Sequence, residues 1–471
     1  MLYVSTRGEA PAISFADALL AGLARDGGLY VPERWPALSR DTIAGFRNRP
    51  YAEVAFQVIE PFVAGSVKDS ELSRMIAEAY ATFDHPAVAP LVQLGEGEYV
   101  CELFHGPTLA FKDVAMQLLA RLMDHVLAER EERATIVGAT SGDTGGAAVE
   151  AFRGRERIDM IILFPNGRVS DVQRRMMTTV PETNIHTVAI DGTFDDCQAI
   201  VKALFNDHAF RDRVKLSGVN SINWARIAAQ VVYYFTAASA LGAPEQAVRF
   251  AVPTGNFGDI FAGYVAKQIG LPIERLIIAT NVNDILARTL ATGIYEPQDV
   301  VATASPAMDI QVSSNFERLL FEANGRSPLA VKEAMQELAA SKRFSLSLEA
   351  LAAIRAVFSA ARADEAETTA TIKSVHREGG YVLDPHSAVG VAVARRFLKE
   401  SNTPLIELAT AHPAKFPEAV EAAIGIRPEL PARLTGLLDR RERVTSLPAS
   451  VEAVADFVSE RSRAAAAGVS V

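Results

Sequence analysis

Cysteine is scarce in this chain, with only Cys101 and Cys197 among 471 residues. Two cysteines so far apart exclude a disulfide-stabilised scaffold, and their spacing is not that of metal ligands. The eight histidines form no H-E-x-x-H or similar pattern, so we expect no metal site. Such sparing use of cysteine is typical of a reducing compartment, and we expect a cytoplasmic protein.

An excess of basic residues and a long apolar run are missing as well. The 47 lysines and arginines are outnumbered by 57 aspartates and glutamates, which leaves no electrostatic footprint for binding a nucleic acid. The most apolar stretch, residues 228–243, is interrupted by Gln230, Thr236 and Ser239. It predicts a buried helix, since a membrane span needs about 18 apolar residues. No signal-peptide pattern opens the sequence. We therefore expect a soluble acidic protein without a membrane or nucleic-acid partner.

The residues that are abundant suit a large α/β protein. Hydrophobic residues make up 49% of the chain, enough for two or three domains with a cleft between them. The pattern up to residue 90 is helical, for example at 15–24 and 71–83, and residues 461–471 are predicted to fray. Beyond residue 90, short apolar runs alternate with helical periods, as in parallel βαβ units. The predicted strands are 135–137, 160–164, 185–190, 249–252, 275–280 and 405–410.

Three of these predicted strands lead into loops rich in glycine and polar residues. The loops are GATSGDTGGAA after Val137, PTGNFGD after Val252 and ATAHPAKF after Leu408. Ligands of parallel sheets bind beyond the carboxyl ends of the strands. A tight turn without function explains any one such loop equally well. Three of them in one chain favour a binding site at this edge of the sheet.

The loop after Val252 has the features of a phosphate site. Gly255 and Gly258 expose backbone N–H groups, and a helix beginning near Asp259 adds its positive end. The loop is neither a Walker P-loop nor a G-x-G-x-x-G turn, and it contains no basic side chain. Backbone dipoles would therefore hold a phosphate that anchors a ligand and does not react.

Lys112 is an unusual residue for its position. The segment ELFHGPTLAFKD places it one residue ahead of an amphipathic helix, with Asp113 predicted as the N-cap. The positive end of the helix and the apolar residues LAF both disfavour an ammonium group, so we expect a lowered pKa. A neutral amine can attack an aldehyde. This segment by itself also allows a surface lysine without any chemical role.

Taken together, these segments resemble the threonine synthases of the bacterial and fungal branch. That family belongs to the pyridoxal-phosphate enzymes of fold type II, the tryptophan-synthase β fold. The shared segments are HGPTLAFKD, GATSGDTGGAA, PTGNFGD, ELATAHPAKF, YVSTRG, GLARDGGLYVP, NSINWARI and MDIQVSSNFERLLFE. They occur in the family's order over nearly the whole chain. The resemblance implies twisted, mostly parallel sheets flanked by helices. It also implies an amino-terminal helical segment (1–90), a large cofactor domain (91–115 and 215–471) and a smaller mobile domain (116–214).

The resemblance implies roles for individual residues. Lys112 would form the Schiff base with pyridoxal 5'-phosphate, and the hydroxyl of Thr410 would contact the pyridine nitrogen. The residues implied to hold the cofactor phosphate are Gly255, Asn256, Phe257, Gly258 and Asp259. The loop implied to bind the substrate carboxylate, near the phenolic oxygen of the cofactor, is Ser141, Gly142, Asp143 and Thr144. This chain departs from the wider fold at Asp143, where many relatives have Asn. A carboxylate beside a phenolate would have to be protonated or turned away.

The implied reaction converts O-phospho-L-homoserine and water into L-threonine and phosphate, the last step of threonine biosynthesis. It proceeds by γ-elimination of phosphate and β-addition of water. The substrate phosphate needs cationic or hydroxyl partners of its own. Our candidates are Arg168 in FPNGRVSD and Lys415, with Arg226 and Arg318 next. Arg168 and Lys415 are each equally well explained as a surface charge.

Two histidines near the motifs, His105 and His412, are better explained by structural hydrogen bonds than by proton transfer. Two other functions remain open at this point. A serine or threonine dehydratase would share Lys112 and the glycine loop but would need no second phosphate site. A catalytically silent homologue would act as a sensor of phospho-amino acids. The long amino-terminal segment and the SGDTG loop favour the synthase, and the complete set of cofactor residues favours an enzyme. The oligomeric state is left open.

Overall fold

The computed structural model describes residues 1–467, in which helices surround four β-sheets. The strands are β1 Leu2–Ser5, β2 Ile13–Ser14, β3 Tyr30–Pro32, β4 Leu91–Gly95, β5 Glu98–Glu102, β6 Ala134–Ala139, β7 Ile158–Pro165, β8 Ile185–Asp191, β9 Leu216–Ser217, β10 Val248–Pro253, β11 Ile273–Thr280, β12 Ile294–Tyr295, β13 Phe344–Ser345, β14 Phe358–Arg362, β15 Leu405–Ala409 and β16 Thr445–Pro448.

The helices that surround them vary from 5 to 18 residues in length. They are α1 Phe15–Ala21, α2 Arg40–Ala44, α3 Tyr51–Val63, α4 Asp69–Tyr80, α5 Lys112–Glu129, α6 Asp143–Phe152, α7 Asp171–Thr178, α8 Phe194–Asn206, α9 His208–Arg213, α10 Trp224–Ala240, α11 Gly258–Gln268, α12 Ile285–Thr292, α13 Phe316–Ala323, α14 Pro328–Ser341, α15 Leu348–Val357, α16 Glu365–Gly379, α17 Pro385–Phe397, α18 Pro417–Ile424, α19 Val451–Arg461 and α20 Arg463–Ala467.

The larger sheet has the order β14-β11-β10-β15-β5-β4, and only β4 in it runs antiparallel to its neighbour. Three of its strands, β10, β11 and β15, were predicted from their apolar runs. Each is largely buried because α17 packs against the sheet on one face and α11 contacts it on the other. The carboxyl ends of β10 and β15 carry two of the three predicted ligand loops, which therefore meet at one edge.

The second sheet has the order β16-β8-β7-β6-β9 and is parallel throughout. The predicted strands within 135–190 are β6, β7 and β8, and helices α6 and α8 pack against them. Strand β16 pairs with β8, although it lies in the segment 215–471 that we assigned to the larger domain. The two sheets confirm the α/β fold with mostly parallel strands.

The helical segment expected before residue 90 is confirmed by α1, α3 and α4. The same segment also contains strands β1, β2 and β3, which form a small antiparallel sheet that the helical pattern did not predict. These strands have two to four residues, too few to show the alternation that marks a strand. Their pairing joins β1 to residues about 30 positions away along the chain, so it depends on tertiary contacts.

Helix α10 confirms the buried helix that the apolar stretch predicts, and most of its residues are inaccessible to solvent. In the part of the chain that the structure describes, no helix is both long and apolar enough to cross a membrane. The predicted fraying of the last residues is wrong for 463–467, which form α20. There Arg463 donates from its backbone and its guanidinium to the carboxylate of Asp159. Residues 468–471 lie outside the described residues.

A buried glutamate lies in the middle of the larger sheet. Glu407 of β15 faces α17, where a Cβ at Gly390 would lie 2.9 Å from its Oε1 atom. Within residues 1–467, neither carboxylate oxygen of Glu407 has a hydrogen-bond partner. Burial, with the charge of Glu98 added, raises the pKa of Glu407 well above its ordinary value.

We expect Glu407→Met to raise the thermal midpoint Tm more at pH 8 than at pH 5. The pKa of this carboxyl is raised on folding, so its contribution to stability is fully present at pH values below its unfolded-state pKa, near 4.5. That contribution is lost as the pH rises through the folded-state pKa. Removing a buried group without partners gains about 1–3 kcal/mol at the higher pH. Thermal unfolding at both pH values measures the effect. The exposed Glu337 of α14 supplies the control, since Glu337→Met should change neither midpoint. An equal Tm for wild type and Glu407→Met at pH 8 would contradict the prediction.

Candidate active site

Helix α5 begins at Lys112 itself, so the prediction that Asp113 caps it is wrong. Asp113 lies inside the first turn, where its carboxylate accepts hydrogen bonds from Thr108 N at 2.8 Å and Thr108 Oγ1 at 2.6 Å. A Cβ at Gly106 would lie 2.4 Å from the Asp113 Cβ. The HGPT turn therefore folds back onto the start of the helix. Its residue Thr108, and not the helix backbone, donates the hydrogen bonds that the buried Asp113 carboxylate accepts.

Lys112 is buried, with 8% of the residue exposed, which rules out the surface lysine. Its Nζ lies 3.9 Å from Asp143 Oδ2 and 4.6 Å from the centre of the Phe111 ring. Burial lowers the pKa of Lys112 to about 8, with Asp143 opposing this shift and the charges of Lys415 and Arg226 adding to it. With this pKa roughly a tenth of the amine is neutral at pH 7, far more than for an ordinary lysine, and it is the neutral form that abstracts a proton.

The loop that precedes α6 is tightly built. Gly142 has a φ of +141°, and a Cβ there would lie 2.5 Å from Gln173 Cδ, so only glycine fits. Thr140 Oγ1 accepts hydrogen bonds from the amides of Gly142 and Gly145, at 3.0 and 2.9 Å. The amides of residues 141, 143 and 144 have no acceptor among residues 1–467. Free amides at a helix start are suited to an anion such as a substrate carboxylate.

Asp143 and Lys415 form a buried ion pair. Lys415 Nζ lies 2.7 Å from Asp143 Oδ1 and donates to Thr108 O at 2.8 Å. Gln173 Nε2 donates to the same Asp143 oxygen at 3.0 Å. Burial alone would raise the pKa of Asp143, but the charges of Lys415 and Lys112 outweigh it and hold that pKa well below its ordinary value. The carboxylate is therefore ionised, and Lys415 is a site residue and not a surface charge.

The predicted phosphate loop joins β10 to α11, which begins at Gly258. Phe257 adopts a left-handed φ of +65°, and none of the described residues accepts a hydrogen bond from the amides of residues 255–260. A Cβ at Gly255 would lie 2.8 Å from Ala307 O. The segment 308–315 braces the loop, since Ser313 Oγ donates to Gly255 O at 2.7 Å. Six successive free amides next to a helix start form an anion cradle.

Asp259 and Thr410 flank this cradle in different ways. The Asp259 carboxylate accepts hydrogen bonds from Tyr233 and Tyr234 of α10, and burial raises its pKa to about 6. Only its backbone amide is left for an anion. Thr410 follows β15, and its carbonyl accepts a 2.8 Å hydrogen bond from Phe111 N, which ties it to the residue before Lys112. Its hydroxyl makes no hydrogen bond to any of residues 1–467 and can serve a ligand.

The four basic candidates for the substrate phosphate have different surroundings. Arg226 is buried, its Nη1 donates to Val219 O, and its Nε has no partner among the described residues. Arg318 is fully buried but binds Tyr30 O, Ile222 O and Asn315 Oδ1, so it holds the fold together. Arg168 is exposed after β7, and no hydrogen bond or ion pair within residues 1–467 joins it to the site.

Both histidines near the motifs have structural partners. His105 lies between Glu102 Oε2, at 2.8 Å, and Asp84 Oδ1, at 3.2 Å. His412 Nδ1 accepts a hydrogen bond from Ala414 N at 3.1 Å, and burial lowers the pKa of His412 to about 4. In the described part of the chain, no group of three or more His, Cys, Asp or Glu side chains is arranged to hold a metal ion.

Sequence reasoning missed two residues that shape the site, Thr108 and Gln173. Thr108 links Asp113 to Lys415, and Gln173 contacts Asp143. Gln173 has a local signal, because it completes a capping box with Ser170 at the start of α7. That signal predicts a helix start and contains no information about a contact with a distant carboxylate.

Comparisons with known proteins agree with the motifs. Family models match at residues 2–80 (threonine synthase N terminus), 83–406 (pyridoxal-phosphate dependent enzyme) and 387–458 (threonine synthase, C-terminal). A threonine synthase from Pseudomonas aeruginosa is 54% identical over 461 residues, covering 98% of each chain. This chain belongs to the threonine synthase family. The resemblance stated from the motifs is thereby confirmed.

Solved structures of threonine synthases extend the agreement to the fold. The structure of pyridoxal-phosphate-bound threonine synthase from Brucella melitensis is 62% identical and has a TM-score of 0.96, covering 98% of this chain and all of that chain. The yeast threonine synthase is 41% identical with a TM-score of 0.92, covering 98% of each. The fold type II architecture expected from the resemblance is confirmed.

Proposed function

We propose that this chain converts O-phospho-L-homoserine and water into L-threonine and phosphate with pyridoxal 5'-phosphate as cofactor. The observation that supports this most is the buried, partly neutral amine of Lys112 in a site that also has an anion cradle of free amides at residues 255–260. The direct test incubates the purified protein with phosphohomoserine and measures threonine and inorganic phosphate. We expect the two products in equal amounts, and phosphate without threonine would contradict the proposal.

The residues present fit the cofactor. The free amides of residues 255–260 suit its phosphate, and a side chain at Gly255 would close that space. The free hydroxyl of Thr410 suits its ring nitrogen, and Lys112 suits its aldehyde. Bound pyridoxal phosphate supplies an electron sink for negative charge that develops next to the substrate amino group. A hydroxyl does not fix a full proton on a pyridine nitrogen as a carboxylate would, so Thr410 would moderate that sink and favour elimination and replacement.

Lys112 would move the protons of this reaction. Its lowered pKa would let the neutral amine take a proton from the α-carbon and, once that proton has been passed on, a second one from the β-carbon as the γ-phosphate leaves. Two protons would then be returned, one to the γ-carbon, which becomes the methyl group, and one to the α-carbon. Water would supply the hydroxyl at the β-carbon, and its remaining proton would leave with the phosphate. The free amides of residues 141, 143 and 144 would orient the substrate through its carboxylate, so that both carbons face Lys112.

The substrate phosphate would be held by Arg226. Three cations are buried here: Lys112, Lys415 and Arg226. Asp143 makes ion-pair contacts with Lys112 and Lys415. Within residues 1–467, no carboxylate makes such a contact with Arg226. A buried guanidinium without a carboxylate is costly, and an anionic ligand compensates for it. Lys415 has one N–H left beyond Asp143 and Thr108, and Arg168 is exposed, so both have weaker support.

The two other functions left open by the sequence have less support. A serine or threonine dehydratase has no second phosphate to bind and gives no reason for an uncompensated Arg226. A silent homologue gives no reason for the lowered pKa of Lys112 at the centre of an otherwise complete site. The synthase accounts for both features.

We expect Arg226→Met to raise the KM for phosphohomoserine by roughly 10- to 100-fold, because a charge-assisted hydrogen bond contributes about 1.5–3 kcal/mol. Slow deamination of serine, which carries no phosphate, should change by less than about threefold. Steady-state kinetics on both substrates measure the ratio. Arg168→Met and Lys415→Met identify which cation matters, and the exposed Arg343→Met is the control. Equal loss of both activities in Arg226→Met would show that Arg226 only supports the fold.

We also propose that the second sheet, with residues 116–214 at its centre, moves as the smaller domain. The residues of the site come from both parts. Asp143 of α6 and Gln173 of α7 lie within residues 116–214, whereas Lys112 lies before that range, Thr410 follows β15 and the cradle follows β10 of the larger sheet. Binding of substrate between them would draw the parts together and exclude water. Hydrogen exchange measures this, and we expect slower exchange in residues 141–145 when substrate is bound.

A further inference from the structure

The Asp143–Lys415 pair is not explained by the binding of either phosphate. Lys415 is 1% exposed at its side chain and Asp143 is 7% exposed, so both charges are removed from water. The two Asp143 oxygens face different partners: Oδ1 contacts Lys415 and Gln173, and Oδ2 lies on the side of Lys112. The carboxylate therefore lies between two lysines, one of which is the reactive amine.

Lys415 is held in place from the helix that carries Lys112. Its Nζ donates to Thr108 O, and the amide and hydroxyl of Thr108 donate to Asp113, the residue after Lys112. A continuous set of hydrogen bonds thus runs from the first turn of α5 through Thr108 to Lys415 and on to Asp143. This arrangement fixes the ammonium group of Lys415 before any ligand binds.

We propose that Lys415 is the permanent counter-ion of Asp143, and that the pair acts as a neutral unit that positions the Lys112 amine. This inference rests on the proposed function only in taking Lys112 as the reactive amine. The Asp143 carboxylate and the Lys415 ammonium group together supply that neutrality, and Lys415 is a positioning residue.

The pairing has a clear physical consequence for Lys112. Without Lys415, the Asp143 carboxylate would be uncompensated and would draw Lys112 into a full ion pair, keeping its amine protonated. Without Asp143, the buried charges of Lys415 and Arg226 would both repel a proton on Lys112. Two further titratable side chains lie near these residues, Asp259 by Lys112 and His386 by Asp143. With both partners present, Asp143 raises the pKa of Lys112 and Lys415 lowers it, so the two effects oppose each other.

A double-mutant cycle tests the pair on the holoenzyme. We expect Asp143→Asn and Lys415→Met each to lower the Tm by roughly 5 °C or more, because each leaves one buried charge alone. The double variant should regain at least half of that loss, and Lys415→Arg should retain most of the stability. Lys332→Met, which breaks an exposed ion pair with Glu9, is the matched control. A double variant no more stable than the worse single variant would overturn the proposal.

A second measurement reports on Lys112 without using the substrate. The full-length protein is freed of cofactor, and the rate at which pyridoxal phosphate re-attaches is followed by visible absorption as a function of pH. We expect the midpoint of this rate to rise by about one pH unit in Lys415→Met, to fall in Asp143→Asn, and to return toward wild type in the double variant.

An unchanged midpoint in all variants, with only the KM for phosphohomoserine raised in Lys415→Met, would overturn the proposal and make Lys415 a phosphate ligand. Neither the Tm cycle nor the re-attachment rate involves phosphohomoserine. A failure of the proposed reaction would therefore leave both results unaffected, and the two hypotheses can fail separately.

Discussion

Lys112→Ala lowers threonine formation by at least about 10⁴-fold, because one change removes the amine that attaches the cofactor and the group that moves the protons. The fold should persist. Lys112 Nζ makes no hydrogen bond to any of the described residues, and its nearest charged atom, Asp143 Oδ2, is 3.9 Å away. Asp143 keeps its closer partner Lys415. We therefore expect the Tm to change by only a few degrees, since the main ion pair remains.

Two measurements check this result. Product formation from phosphohomoserine gives the loss of turnover. In the wild type, borohydride should bleach a visible cofactor band and attach the cofactor to the chain, and in Lys112→Ala it should do neither. Lys332→Ala is the control, because Lys332 is an exposed lysine on helix α14 and should behave as wild type. Turnover of Lys112→Ala within tenfold of the wild type would show that another group is the reactive amine.

Gly258→Asp weakens pyridoxal-phosphate binding by at least about 100-fold, because it adds a negative charge at the first residue of α11, inside the anion cradle. A Cβ there would lie 3.3 Å from Asn315 Nδ2, so the added bulk also presses on the segment that braces the loop. Gly255→Ala tests the steric part alone. Its Cβ would lie 2.8 Å from Ala307 O, and the loop must move to accept it.

Gly379→Asp is the matched control for this prediction. Gly379 ends α16, its φ is not left-handed, and a Cβ there meets nothing within 4 Å. It therefore adds the same charge away from the site. Equilibrium titration with pyridoxal phosphate measures the dissociation constant of each variant. Wild-type affinity in both Gly258→Asp and Gly255→Ala would place the phosphate outside this loop.

Local sequence patterns were sufficient for the core of the fold and for the centre of the site. Strands β10, β11 and β15 were found from their apolar runs, since a strand buried on both faces leaves a continuous signal in the sequence. The cradle at 255–260 and Lys112 were found because each depends on a short segment at the end of one strand or the start of one helix.

The position of Asp113 shows where local reasoning failed. An acidic residue after Lys112 at a predicted helix start suggests an N-cap, but the HGPT turn brings Thr108 within 2.8 Å of its carboxylate. The small sheet of β1, β2 and β3 was missed for a related reason. Its strands are defined by their partners and not by their own short sequences.

The amino-acid sequence alone was enough to assign the family and the α/β class, and to propose Lys112 as the reactive lysine and residues 255–259 as the phosphate loop, because these depend on order along the chain. Tertiary structure decided which charges are compensated. Lys415 pairs with Asp143, Arg226 is buried without a carboxylate partner among residues 1–467, and Arg168 is exposed, although Arg168 and Lys415 were the first candidates and Arg226 came after them. Burial and distance determine the energy of a charge, and both depend on residues that are far apart in the chain and become neighbours only in the folded protein.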